Sequence, residues 1–410
     1  MSAQIDVAIV GGGAAGIAAA RRLAALHRSV MLIEALPQLG GRARTLNVGT
    51  LPLDMGCGWL HSARRNPLTA IAEAHAEILD RSRSAWHKQL RDIHFPAAKQ
   101  REAWAAFQRL SEQLHHDPPA GDCVADAVAR DDRWRPFLDG VSSFINGTEL
   151  GQLSVRDYLA YEDASSDDNW RLPKGYGAFI VGLAAGVPVA CETPVESISC
   201  DAEVVLTTPR GAIHARAVIV TVSTTVLAQG HIRFEPAVDD HLQAASRLPL
   251  GLADKVYLAL DDPEAVPAES HLLGHIDRAE TGSYYLRPFG RPLVECYLGG
   301  AWARSLEAAG TQAACDFAIA ELRDLLGEQF ARGLTPLAVS RWGHEPTIGG
   351  SYSHALPGHA AARSVLVQPV SERFCFAGEA CSKQDFSTAH GAWESGLEAA
   401  ETIERFLAKR

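Results

Sequence analysis

An α/β fold coupled to an α+β portion is what this sequence predicts, and three observations lead there. Residues 5–34 read strand, glycine turn, helix and strand (IDVAIV, GGGAAG, IAAARRLAALH, VMLIE), the alternation of a parallel βαβ unit. At 410 residues the chain is long for one hydrophobic core and comfortable for two. Strand-and-glycine segments return in the middle and at the end, so no single cut separates the two units.

Composition narrows the class. A hydrophobic fraction of 47% with 21% charged residues is ordinary for a folded protein. The formal net charge of −11 excludes a nucleic-acid partner, which needs a basic stripe, and mildly favours cationic ligands. The eight cysteines form no CxxC pair and no metal-ligand spacing, so reduced thiols and no metal are expected. The first apolar stretch runs straight into glycines without a basic leader, and nothing reaches the roughly 18–20 apolar residues of a membrane span. A cytoplasmic enzyme without an anchor, monomeric or homodimeric, is the expectation.

Further elements follow in order. Asn66-Pro67 supplies an N-cap and a first helical residue, opening a helix with Leu68, Ile71, Ala72 and Leu79 on one face. Residues 100–115 are also expected to be helical. The stretch from about 150 to 175, with Ser165-Ser166-Asp167-Asp168, reads as polar loop. Strands return at about 188–222, ending in the apolar run AVIVTV. A mixed region at about 250–345 includes strands near 255–260 and 293–298 and a helix aligning Ala314, Ala318, Leu322 and Leu325. The tail from Phe374 is a short strand, a glycine turn, a loop and a long helix.

Gly11, Gly13 and Gly16, with Ala15 inside the turn, make G-x-G-x-x-G between strand and helix. The first glycine permits the turn, the second lets backbone approach a pyrophosphate, and the third lets helix and strand pack closely. The free N–H groups of the helix start favour the anion. Glu34 ends the second strand eighteen residues beyond Gly16, where an acid binds a ribose hydroxyl. This is a Rossmann-type dinucleotide site. Gly40-Gly41-Arg42 after Glu34 extends the pattern toward FAD rather than NAD, since arginine donors suit a diphosphate or a flavin edge.

A series of ordered motifs resembles the flavin amine oxidase superfamily of monoamine oxidases, polyamine oxidases and lysine-specific histone demethylases, nearest the polyamine oxidase-like branch. Besides Gly40-Gly41-Arg42 they are Asp54-Met-Gly56-Cys-Gly-Trp59-Leu60-His61 and Leu172-Pro-Lys-Gly175-Tyr-Gly177. Val195-Glu-Ser-Ile198 leads to Ala217-Val-Ile-Val-Thr221-Val and Ile232-Arg-Phe234-Glu-Pro236. Phe376-Ala-Gly378-Glu379 and Thr388-Ala-His390-Gly391-Ala392-Trp393-Glu-Ser-Gly396 close the series.

The resemblance implies a Rossmann-type FAD-binding domain built discontinuously from 1–65, 188–245 and 350–410. It implies a mixed-sheet and helical substrate domain from 66–187 and 246–349. Gly56, Trp59, Val195, Gly378, Glu379, His390, Gly391 and Ala392 then join Gly11, Gly13, Ala15, Gly16, Glu34, Gly41 and Arg42 around FAD. Ser351 stands where some relatives carry a cysteine bonded to the flavin, so FAD is expected to be non-covalent.

The implied reaction is hydride transfer from the carbon beside an amine nitrogen to flavin N5, imine hydrolysis to an aldehyde, and reoxidation by O2 to hydrogen peroxide. Lys255 falls where the family keeps a lysine near flavin N5, and Tyr352 where it keeps one aromatic wall beside the amine. The second wall falls by register on Ala392, leaving Trp393 or another aromatic to replace it. His61 either holds a distal substrate nitrogen or is a satisfied hydrogen-bonder. Carotenoid-type desaturases and protoporphyrinogen oxidases share the FAD half, and an FAD-retaining binding protein without turnover is a third reading. Lys255, Trp59-Leu60-His61 and Tyr352 favour the amine branch.

Overall fold

The computed structural model describes residues 4–87, 89–90 and 96–409. Two sheets organise them. The larger has eight strands in the order Val189–Ala190, Val30–Ile33, Ile5–Val10, Gly211–Val220, Val204–Thr208, Ser197–Cys200 and Arg233–Glu235, with Phe374–Phe376 also pairing to Gly211–Val220. Ile5–Val10 lies parallel to both neighbours, with Val7 opposite Val30 and Ala217. Val7, Ile9, Ala217 and Ile219 pack into one apolar layer, while Ala8, Val10, Val218 and Val220 pack into the other. Burial on both faces explains why these strands are continuous apolar runs rather than alternating ones.

One layer is made by the helices Ala14–Ala25 and Ala389–Leu407. They approach closely because Gly396 has no side chain: a Cβ there would lie 2.1 Å from the Ala15 carbonyl oxygen. Arg28 donates to both carboxylate oxygens of Glu404 across the same interface, at 2.8 and 2.7 Å.

The second sheet is antiparallel throughout, in the order Ser270–Leu273, Ser283–Leu286, Leu293–Gly299, Ala253–Leu260 and Leu334–Val339. Its apolar face packs with helices Ala97–His116, Arg135–Asn146, Gly300–Ala309 and Thr311–Leu326 in a separate core. A hairpin of Thr45–Val48 and Leu51–Asp54 lies outside both sheets.

Two local expectations differ from the structure. Residues 155–164 form a helix, not loop: the Ser154 hydroxyl accepts from the Asp157 N–H at 3.2 Å as an N-cap, and its polar composition masked the element. The helix opened by Asn66 runs only Pro67–Ala74, leaving Leu79 outside it, though Asn66 does cap it through the Leu68 N–H at 3.0 Å. Among the described residues no helix is long and apolar enough to cross a membrane.

Candidate active site

The glycine turn leaves Ile5–Val10 with Gly11 at φ +107°, where a Cβ would strike the Thr221 hydroxyl at 2.5 Å. A Cβ on Gly16 would lie 1.9 Å from the Gly11 carbonyl oxygen, so Gly16 serves helix–strand contact and does not line the cavity beyond. Gly13, Gly41 and Gly378 differ. A Cβ at Gly13 or Gly41 would find no protein atom nearer than 3.9 or 3.5 Å, and at Gly378 none within 4 Å. All three face a cavity of about 1290 Å³, larger than the roughly 300–1,000 Å³ of ordinary ligand pockets. Its residues run from Gly11–Ala15 and Glu34 to Lys255 and Tyr352. Open glycine backbone at one end and this volume fit a dinucleotide lying full length with room beyond it.

Glu34 is buried and accepts from the Gly12 N–H at 2.7 Å and the Leu36 N–H at 2.8 Å; burial pushes its carboxyl up despite those bonds. Arg42 donates to the Ser351 carbonyl at 2.6 Å and to Glu379 at 2.9 Å. Burial raises the Glu379 carboxyl, but Arg42, Arg363 and the Ser353 hydroxyl at 2.7 Å outweigh it and hold it below the usual range. Gly56 is required because a Cβ would lie 1.9 Å from the Arg42 carbonyl. Val195 lines the wall near Glu196.

At the other end Trp59 packs 4.5 Å from Trp86 and is stacked 6.0 Å from Tyr285. The Arg171 guanidinium lies 4.9 Å from its ring centre. His61 Nδ1 meets Asn169 Oδ1 at 2.7 Å, and burial drops its imidazole to about 4 in spite of that bond. His61 is therefore neutral near pH 7. Tyr352 lines the cavity and donates to the Phe144 carbonyl at 2.6 Å. Lys255 Nζ donates to the Asp54 carbonyl at 2.8 Å and pairs with Glu295 at 2.9 Å.

Besides Gly16, three expected site residues lie elsewhere. Trp393 is 2% exposed and packed in the core with the Ala14–Ala25 helix. On the helix Ala389–Leu407, Ala389 and Ala392 face the cavity, whereas Trp393, Gly396 and Ala400 follow at helical spacing on the buried side. Trp393 therefore cannot serve as the second wall. His390 is turned to Asp385 at 3.0 Å, and Gly391 admits the Asp385 carbonyl, which a Cβ would approach to 1.9 Å. Neither lines the cavity; they hold the 385–388 turn, whose Phe386, Ser387 and Thr388 do. Thr388 also caps the helix, accepting from the Gly391 N–H at 3.0 Å.

Several lining residues escaped the sequence reading: Trp86, Tyr285, Glu295 and Tyr297. For Glu295 and Tyr297 a signal existed, since they occupy alternate positions of the expected strand 293–298. The others are brought in by chain crossings with no local signature.

The family described as flavin containing amine oxidoreductase matches residues 14–404, and the chain belongs to it. It is thus an oxidoreductase acting on amines, with a flavin cofactor. Polyamine oxidase 4 of Oryza sativa subsp. japonica is 27% identical over 97% of this chain and 88% of its own length. Polyamine oxidase 2 of Arabidopsis thaliana is 28% identical over 97% and 87%. Lysine-specific histone demethylase 1 homolog 1 of Arabidopsis thaliana is 28% identical over 99% of this chain and 53% of its own. The fold is shared with a putrescine oxidase bound to putrescine (TM-score 0.81, 17% identity, 98% and 99% coverage). It is shared equally with cyclohexylamine oxidase from Brevibacterium oxydans IH-35A (0.81, 20%, 99% and 100%).

Proposed function

We propose that this protein is an FAD-dependent amine oxidase with a non-covalent cofactor. The single observation behind this reading is the continuity of one cavity from the glycine turn and Glu34 to Lys255 and Tyr352. FAD held there would supply a hydride acceptor for the carbon beside an amine nitrogen, so that the amine would leave as an imine open to hydrolysis to an aldehyde, with O2 taking the two electrons as hydrogen peroxide.

The protein's own contribution is position, dryness and charge. Gly11–Ala15 and Glu34 hold the dinucleotide end, with Arg42 and Glu379 beside it. Trp59, Trp86, Tyr285 and Tyr352 make a rigid apolar slot that excludes water from the amine. Lys255 presents a donor to the reacting end, and neutral His61 offers a hydrogen-bonding ring for a substrate polar group. Ala392, which by register takes the place of a second aromatic wall, is small and lines the cavity. Non-covalent attachment is supported by Ser351, whose hydroxyl accepts from the Ala253 N–H at 2.7 Å and donates to the Ala253 carbonyl at 2.8 Å. The nucleotide unit in this reading comprises 1–65, 188–245 and 350–410, the substrate unit 66–187 and 246–349. Eight free cysteines support a reducing, cytoplasmic setting.

The test is a panel of mono-, di- and polyamines under air, following flavin bleaching and peroxide together. Bleaching by at least one amine class with stoichiometric peroxide is expected. Bleaching without peroxide moves the protein to the dehydrogenases, and bleaching by no amine rejects the reading. Acid precipitation should release the flavin; yellow colour retained in the pellet rejects non-covalent binding.

A further inference from the structure

An isolated lysine inside a protein loses its charge, because burial disfavours the ammonium. Lys255 is 4% exposed, yet that downward pull is outweighed by Glu295, Tyr257 and Tyr297, and its ammonium is held well above the ordinary lysine range. The reason is the sheet. Leu293–Gly299 runs antiparallel to Ala253–Leu260, with Tyr297 opposite Lys255 and Glu295 opposite Tyr257. Side chains alternate along each strand, so these four share one face, and Glu295 stands diagonal to Lys255 within reach of its long side chain.

Two of the three ammonium donors are spent, on Asp54 O at 2.8 Å and Glu295 Oε1 at 2.9 Å. The Tyr257 hydroxyl donates to the same Asp54 carbonyl at 2.8 Å. Asp54 is itself fixed: its carboxylate accepts from the Thr45 hydroxyl at 2.6 Å and the Tyr176 N–H at 2.9 Å. Lys255 and Glu295 both border the cavity, and the Glu295 side chain is 17% exposed.

We propose that Glu295 is a positioning residue that tethers Lys255 as an ammonium against the Asp54 carbonyl, leaves one N–H for the cavity and cancels the lysine's charge toward it. This rests on the amine-oxidation reading. A lone ammonium in that wall repels a protonated amine; a neutral pair does not. The cavity then admits its substrate as the cation that predominates near neutral pH. Lys255 acts there as a hydrogen-bond donor and not as a base, since its lone pair is never free.

Wild type, Glu295→Gln, Lys255→Met and the double variant test this with two readouts. The first is thermal unfolding of the flavin-loaded proteins without substrate. Lys255→Met strands a buried carboxylate, so adding Glu295→Gln is expected to recover part of the lost unfolding temperature. A double variant no more stable than Lys255→Met overturns the pairing. The second is KM against pH for the best amine. Glu295→Gln is expected to raise KM at pH 7 by roughly tenfold with a smaller change in kcat, the gap closing as pH nears the amine's own pKa. A KM profile parallel to wild type overturns the charge cancellation. If no amine reduces the flavin, the amine-oxidation reading fails on that ground, while the unfolding comparison still decides the pair.

Discussion

Lys255→Met removes the donor that Ala253–Leu260 sends into the cavity and keeps the side-chain length. Loss of one hydrogen-bond donor positioned at a reaction centre typically slows its step about a hundredfold or more, so one flavin half-reaction should slow by that order while the protein stays yellow. Stopped-flow reduction and reoxidation, measured separately, show which. Both rates within about threefold of wild type, well under 1 kcal/mol, make Lys255 structural. From sequence alone the swap reads as a packing change of about 1 kcal/mol. The pair with Glu295 changes that expectation, because stranding one partner of a buried ion pair costs about 3–5 kcal/mol. The position of Lys255 was legible from its motif; its partner was not, lying forty residues away on another strand.

At the level of elements, Ala253–Leu260 has two polar faces at one point. Lys255 points into the cavity, and Asp254 points the other way, buried against helix Gly300–Ala309 and the 340–343 turn. Its carboxylate accepts from the Ser340 hydroxyl at 2.8 Å and the Trp342 N–H at 3.1 Å. Burial, then the neighbouring Glu307 carboxyl, push the Asp254 acid up to about 8 from an ordinary 3.8. A raised acid pKa means the folded state holds a proton that the unfolded chain releases. The stabilisation is present below about pH 4 and is lost as pH rises through about 8. Trp342 also closes the cavity and donates to the Met55 carbonyl at 3.1 Å, so the turn links this acid pair to the site. Denaturant unfolding should show stability falling as pH rises from about 6.5, above the interval in which the buried histidines titrate, to about 8, and Asp254→Asn should flatten that slope. An unchanged slope in the variant removes Asp254 as its source. The strand was expected from its apolar run, but its two opposed polar residues acquire meaning only once helix and turn are packed on it.

Across the whole molecule, three histidines far from one another in sequence are held neutral by their surroundings. Burial drops the imidazoles of His61, His271 and His354 each to about 4, from an ordinary 6.5. Below about pH 6.5 the unfolded chain takes up protons that the folded one refuses, so this stability is full above that pH and drains as pH falls toward about 4. The unfolding temperature should therefore drop steeply over that interval, and His354→Asn should make the drop shallower. An acid limb that begins only below about pH 4 points to carboxylates instead.

The sequence by itself determined the βαβ unit, the glycines that its tight turn and close packing demand, the acid at Glu34 and the family. These depend on local spacing and on residues whose backbone needs are specific. It also singled out Lys255 and Tyr352, both of which line the cavity. Only the tertiary structure decided which side chains share the cavity. Trp393 and Ala392 are adjacent in sequence, yet one lies in the core and the other in the wall, because consecutive helical residues point about 100° apart. Glu295 reaches Lys255 through strand pairing, and Arg42 reaches Glu379 across 337 residues. Such contacts follow from how distant strands register and how helices cover them, which no local pattern in the chain encodes.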